Sequence, residues 1–207
     1  MSSKPKPLVA VGTPPRELAP QETCLARAVW VIDLGTHYNE RFKNTERKVM
    51  ITWELPEHLM ASGEPFVISK KYTLSLAPKA WLRKDLQSWR GKDFTQEDLD
   101  KGFTLKSVLN QLCYINIVHK EVGEKTYANI SAITALPKSA RENTKKLAVN
   151  KLIYFDFAEF SEDTFEAIPE WIRKTIQESF EYQAIYGDES ETELEDEEPP
   201  PHEDVPF

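Results

Sequence analysis

The sequence predicts a mainly β fold: a five-stranded barrel with a helical insertion between strands three and four, then a C-terminal helix and an unfolded acidic tail. Three observations lead there. Five short segments are either continuously apolar or alternate apolar with polar residues, as half-buried strands do. Between Pro78 and Gln111, and again after residue 166, the apolar spacing becomes helical. From Asp188 to Phe207 there are ten acidic residues and no Lys or Arg, a composition that cannot build a core.

The elements follow in order. Residues 1–20 hold five prolines, Lys4 and Lys6, and read as a mobile arm. The run from Ala26 to Leu34 is nearly all apolar and reads as a buried first strand. A cationic loop with Arg41, Lys43, Arg47 and Lys48 leads to a second strand, in which Val49, Ile51, Trp53 and Leu55 share one face. Pro56 to Pro65 turns the chain into a third strand, Phe66 to Leu76. Pro78 suits a first helical turn, Leu82, Leu86 and Trp89 make a helical stripe, and Gly91 can close it. Short helical segments are expected between Phe94 and Gln111. Leu112–Lys120 and Lys125–Ala135 form a hairpin around Glu121–Glu124. Three strands, a helix and two strands is the connectivity of an OB-type barrel, although a flatter sheet with a packed helix fits the same string. Ile168, Ile172, Ile176 and Phe180, spaced by four, predict one amphipathic helix over 166–186. The expected organisation is an arm (1–20), an OB-like domain (21–160), a packed helix (161–186) and a tail (187–207).

Charge is divided along the chain. The net of -8 belongs to the tail: residues 1–187 carry 26 basic and 24 acidic side chains, and between His37 and Lys146 the balance is 19 basic to 13 acidic. A mildly basic body with an acidic appendage suits contact with a polyanion through the body alone. Cys24 and Cys113 stand far apart with no disulfide framework, and no segment reads as a secretory signal or a membrane span, so the cytoplasm is the expected compartment.

Chemistry-bearing motifs are absent from the string. There is no phosphate-binding Gly-rich loop ending in Gly-Lys-Ser/Thr, no Gly-x-Ser-x-Gly elbow and no His-Glu-x-x-His. A Cys-x-x-Cys pair is missing and the four His are scattered, so neither metal nor cofactor is expected. Asp33, Glu46 and Glu54 are dispersed body carboxylates whose spacing requires no nuclease site, and no enzyme is expected.

The chain ends His202-Glu-Asp-Val-Pro-Phe207. This ending resembles the C-terminal tip of bacterial and phage single-stranded-DNA-binding proteins, in which an acidic segment ends in Asp, an aliphatic residue, Pro and Phe. The resemblance implies that Asp204, Val205, Pro206 and Phe207 dock onto replication, recombination and repair proteins. A terminal Phe offers a ring for an apolar pocket and a carboxylate for a cation at its edge. The body, from Ala28–Leu34 through Val49–Leu55 and Ile68–Leu76 to Leu86–Gly91, is similar to phage proteins of replication or single-strand binding. The long helical insertion and the lack of a Gly/Gln-rich linker depart from the common bacterial pattern, which puts the usual tetramer in question; a homo-oligomer stays open.

Holding a single strand takes cations along the phosphates and aromatic faces for the bases. Candidate contacts are Lys70, Lys71, Tyr72, Arg83, Trp89, Arg90, Tyr114, Lys125, Tyr127 and Lys138. Each has a structural counter-reading. Tyr72 shares the parity of Ile68 and Leu74, which favours the core, yet so does Lys70; a β-bulge would re-aim both. Trp89 belongs to the Leu82/Leu86 stripe, and Arg83 and Arg90 fit a solvated helix face equally well. In the hairpin, Ala128, Ile130 and Ala132 are expected inward, with Lys125, Tyr127 and Asn129 outward and Tyr114 exposed on the partner strand. The expected function is non-catalytic coating of single-stranded DNA with partner recruitment by the tail. Alternatives are an adaptor or DNA-mimicking regulator, and a strand-annealing protein.

Overall fold

Pairing of the two longest apolar segments builds the frame. In a computed structural model describing residues 17–137, 140 and 149–187, β1 (Thr23–Asn39) and β2 (Asn44–Leu59) run antiparallel from Arg27–Glu54 to Asn39–Asn44. β3 (Pro65–Thr73) adds to β2, β4 (Leu112–Val122) to the first residues of β1, and β5 (Lys125–Ala135) to β4. The result is a mixed, mostly β molecule whose antiparallel sheet has the order β3-β2-β1-β4-β5. A sixth strand that the sequence did not signal, β6 (Ile153–Phe155), lies parallel to Trp30–Ile32 of β1, beyond the reach of β4. At three residues it is too short to announce itself by periodicity.

β1 is long because both its faces are covered, and it curls because its register slips twice, at Ala28/Trp30 and Asp33/Gly35. The first slip reverses which parity faces which core. Cys24, Ala26, Ala28 and Val31 join Val49, Ile51, Trp53 and Leu55 on the inner side. Ile32 and Leu34 instead join Met50 and the C-terminal helices on the outer side. This double burial explains the near-continuous apolar run of the first strand.

Closure differs from the expectation. Among the described residues no ladder joins β3 to β5, so the sheet is not closed. Helix α1 (Trp81–Arg90) stands between these two edges with Leu82, Leu86 and Trp89 buried, and Gly91 ends it in the left-handed conformation (φ 69°). Its Asp85 carboxylate accepts hydrogen bonds from Lys70 Nζ (2.6 Å) and Tyr72 Oη (2.8 Å) of β3. Its Ser88 Oγ donates to the Ile133 carbonyl of β5 (2.5 Å). One helical face thus ties together the strands that do not pair. A short helix α2 (Gln96–Lys101), with a Thr95/Asp98 capping box, and a 3₁₀ turn (Leu105–Val108) lead on to β4, as the sequence anticipated.

The single helix expected over 166–186 is two, α4 (Glu170–Gln177) and α5 (Phe180–Tyr186), preceded by a short α3 (Glu162–Glu166). Pro169 stands at the start of α4, and buried Ser179 caps α5 by accepting the Tyr182 N–H (3.2 Å). Ile168, Ile172 and Ile176 do pack against Ile32, Leu34 and Met50. Phe180 leaves that stripe and is 52% exposed, because the break at Ser179 resets the helical phase. Thr36 fastens α5 to β1, its N–H and hydroxyl each donating to the Glu181 carboxylate at 2.6 Å. No helix among the described residues is long and apolar enough to cross a membrane.

Candidate nucleic-acid interface

Two clefts lie along the gap between β3 and β5. One, of about 790 Å3, is lined by Lys70, Lys71, Tyr72, Thr73, Trp81 and Ile130, among others. The second, of about 780 Å3, lies where Phe66 and Val67 of β3 meet Lys125–Ala128 of β5 and the incoming segment Glu17–Ala19. Low-numbered residues of β3 therefore neighbour low-numbered residues of β5, and higher ones neighbour higher ones. The two strands run in the same direction on either side of one seam, roughly 23 Å long between residues 66 and 73 at about 3.3 Å per residue.

Trp81 is the aromatic that sequence reasoning missed. It is 68% exposed at the first turn of α1, on the wall of the larger cleft. Lys84 Nζ lies 4.9 Å and Lys70 Nζ 5.9 Å from its ring centroid. An aromatic face flanked by ammonium groups supplies both parts of a sequence-tolerant strand contact. The available signal was its phase: Trp81 precedes Leu82, so it points away from the Leu82/Leu86/Trp89 stripe.

The predicted residues divide by what already occupies them. The Tyr72 ring is buried and its hydroxyl is spent on Asp85. Burial beside that carboxylate drives its phenol far above the ordinary tyrosine value. The β-bulge expected in β3 is not there: the ladder from Leu55–Phe66 to Lys48–Thr73 is unbroken, and the parity conflict is resolved by Asp85, which neutralises Lys70 on the inward side. Trp89 is core, its Nε1 donating to the Leu112 carbonyl (3.1 Å). Arg83 caps the Leu76 carbonyl (3.0 Å). Arg90 pairs with Asp98 (3.1 Å) while lying 4.2 Å from the Phe94 ring and 5.2 Å from Phe103. These three side chains hold α1 in place.

Lys71 and Lys125 are exposed, and neither forms an ion pair among the described residues. Tyr127 is 47% exposed, opposite Lys120 across the β4–β5 ladder. Tyr114 is half-buried between Leu25 and Thr134. The structure thus brings Lys70 and Lys71 together with Trp81 at one end of the seam, and Lys125 with Tyr127 at the other. Ala132 is outward rather than inward: a register shift at Asn116/Ile117 inserts Ser131, so Ile133 takes the core position. Lys138 and the tail residues Asp204–Phe207 lie outside the described residues.

The end of β1 adds exposed Tyr38 (49%) and the loop after it Phe42 (63%), with the Arg41 guanidinium 5.4 Å from the Phe42 ring. The dispersed carboxylates of the body have separate partners. Asp33 binds Arg47, Glu46 binds Lys48, and buried Glu54 accepts from the Asn150 N–H and side-chain amide, each at 2.9 Å. Glu46 and Glu54 stand eight residues apart on β2, roughly 26 Å, so they do not share a site. No protein-family model matches the chain, and no curated protein matches its sequence.

Proposed function

We propose that this chain binds single-stranded DNA without acting on it chemically, through an OB-type barrel left open between β3 and β5. The observation that carries the reading is Trp81, exposed on the wall of a cleft that also presents Lys70 and Lys71, with Lys84 Nζ beside its ring. The strand order β3-β2-β1-β4-β5, with β3 and β5 side by side in one direction and a helix after β3, supports the barrel assignment. In that fold the β2–β3 face and the loops after strands one and four take oligonucleotides. Here those loops carry Arg41 and Phe42 on one side and Gly123 on the other, next to Lys125.

Bases stack on Trp81 and Tyr127 while phosphates follow Lys71, Lys84 and Lys125. A seam of roughly 23 Å suits a footprint at the low end of the ~4–16 nucleotides one such fold covers. Binding is occupancy: it keeps the strand unpaired and shields it, and Asp204–Phe207 recruit replication and recombination partners. The test is a titration of labelled single-stranded DNA, duplex DNA and RNA oligonucleotides against the full chain at two salt concentrations. Single strands should bind tighter than duplex, and affinity should fall with salt as counterions are released. Equal affinity for duplex overturns the reading. An adaptor or DNA mimic would ignore all three, and an annealing protein would accelerate pairing of complementary strands.

A further inference from the structure

We propose that Glu22, Cys24 and His58 form a binding site for a zinc-type transition-metal ion. Nothing in the linear spacing points to it, since Cys24 and His58 are 34 positions apart. The fold joins them: Glu22 immediately precedes β1, Cys24 is the second residue of that strand, and His58 lies near the end of β2, its antiparallel partner. One donor atom from each residue, a carboxylate oxygen, the thiol sulfur and an imidazole nitrogen, lies within 4.8 Å of the other two.

The geometry is close to that of a bound ion. A tetrahedral zinc with nitrogen and oxygen at about 2.0 Å and sulfur at about 2.3 Å sets its donors roughly 3.3–3.6 Å apart. His58 Nδ1 already stands 3.7 Å from Glu22 Oε1. Closing the rest of the triangle takes side-chain movement of about 1 Å. Cys24 Sγ now points its weak donor at the Glu22 carbonyl, 3.8 Å away. One sulfur, one imidazole and one carboxylate suit a borderline-soft ion such as Zn2+ and are poor ligands for Mg2+ or Ca2+. Cys113 is the contrast: it is equally buried and belongs to no such group of donors among the described residues.

Binding proceeds by exchange: the Cys24 S–H bond breaks, the sulfur lone pair forms the metal–thiolate bond, and the proton leaves to solvent, one per ion. Glu22 is exposed and His58 half-buried, so a fourth position faces water. A bound ion would tie the segment entering β1 to the end of β2. That segment already touches the next turn, through the Glu17 carboxylate on the Ala61 N–H (3.0 Å), and it lines the second cleft of the seam.

The probe is Co2+ titrated into the reduced, chelator-treated full chain. A thiolate-to-cobalt charge-transfer band saturating at one ion per chain, with one proton released and the band abolished by Zn2+ but not by millimolar Mg2+, is the expected result. Cys24→Ser should lose the band and Cys113→Ser keep it. His58→Gln, at a half-exposed position that spares the core, should weaken binding at least about 10-fold even if Cys24→Ser proves unfolded. Absence of the band in the wild-type chain, or wild-type affinity in both His58→Gln and Glu22→Gln, overturns the proposal.

Discussion

Asp85 is where the architecture concentrates its risk. Replacing it with alanine withdraws the acceptor from Lys70 Nζ and Tyr72 Oη together. The Tyr72 hydroxyl belongs to a residue only 3% exposed and would be left without its acceptor, a cost of about 1–3 kcal/mol. The Lys70 side chain is 22% exposed, so it recovers part of its hydration and adds about 1 kcal/mol rather than the full penalty of a buried charge. The expected loss is about 3 kcal/mol, or roughly 6–12 °C in melting temperature for a chain of this size. Denaturant unfolding followed by tryptophan fluorescence measures it. A second variant isolates the cause: Asp85→Leu with Lys70→Met removes the charge and its partner together, and should recover about 1–2 kcal/mol relative to Asp85→Ala. If Asp85→Ala unfolds within about 0.5 kcal/mol of wild type, α1 does not hold the β3 edge in the way described.

Trp81→Ala should weaken single-stranded-DNA binding by about 1–3 kcal/mol, or about 5- to 150-fold in fluorescence anisotropy, while leaving the unfolding midpoint almost unchanged because the ring is exposed. Lys71→Ala should cut affinity and reduce the salt slope by about 1, whereas Lys70→Ala should change the slope less because Asp85 already neutralises that ammonium; equal slopes would refute the division. Gly35 has φ 77°, and a Cβ there would fall inside contact distance of Ser179 Cβ and Oγ, so Gly35→Ala should cost at least about 2 kcal/mol, read as a lowered melting temperature and proteolysis near α5. Burial opposes ionisation of Glu181, but hydrogen bonds from the Thr36 hydroxyl and N–H outweigh it and hold the carboxyl below the ordinary glutamate range. Its stabilisation is therefore present above about pH 4.3 and lost as pH falls through the lowered value. The stability gap between wild type and Glu181→Gln should narrow on acidification from pH 6 to 3, and a constant gap in denaturant midpoints would contradict it.

The sequence by itself determined the strand and helix order up to Ala135. Alternation in Val49–Leu55, the Leu82/Leu86/Trp89 stripe ended by Gly91, and the hairpin around Gly123 are all local signals, carried by residues within one or two turns of each other. It also separated a basic body from an acidic end, which composition alone reveals. What it could not decide was anything requiring a partner distant along the chain. Tyr72 and Lys70 share a parity that looks contradictory until Asp85 arrives from α1 to neutralise one and bond the other. The phase of Phe180 depends on a break at Ser179, whose buried place is set by its approach to Gly35. Trp81 gains its surroundings only because α1 lies along an edge where β3 and β5 fail to pair, and Cys24 meets His58 only because the start of β1 comes to lie beside the end of β2. Periodicity reports which face of an element turns inward, because burial acts on each residue through its immediate neighbours. Which side chains then meet across the fold is fixed by sheet register and helix placement, and those are properties of the whole packed chain.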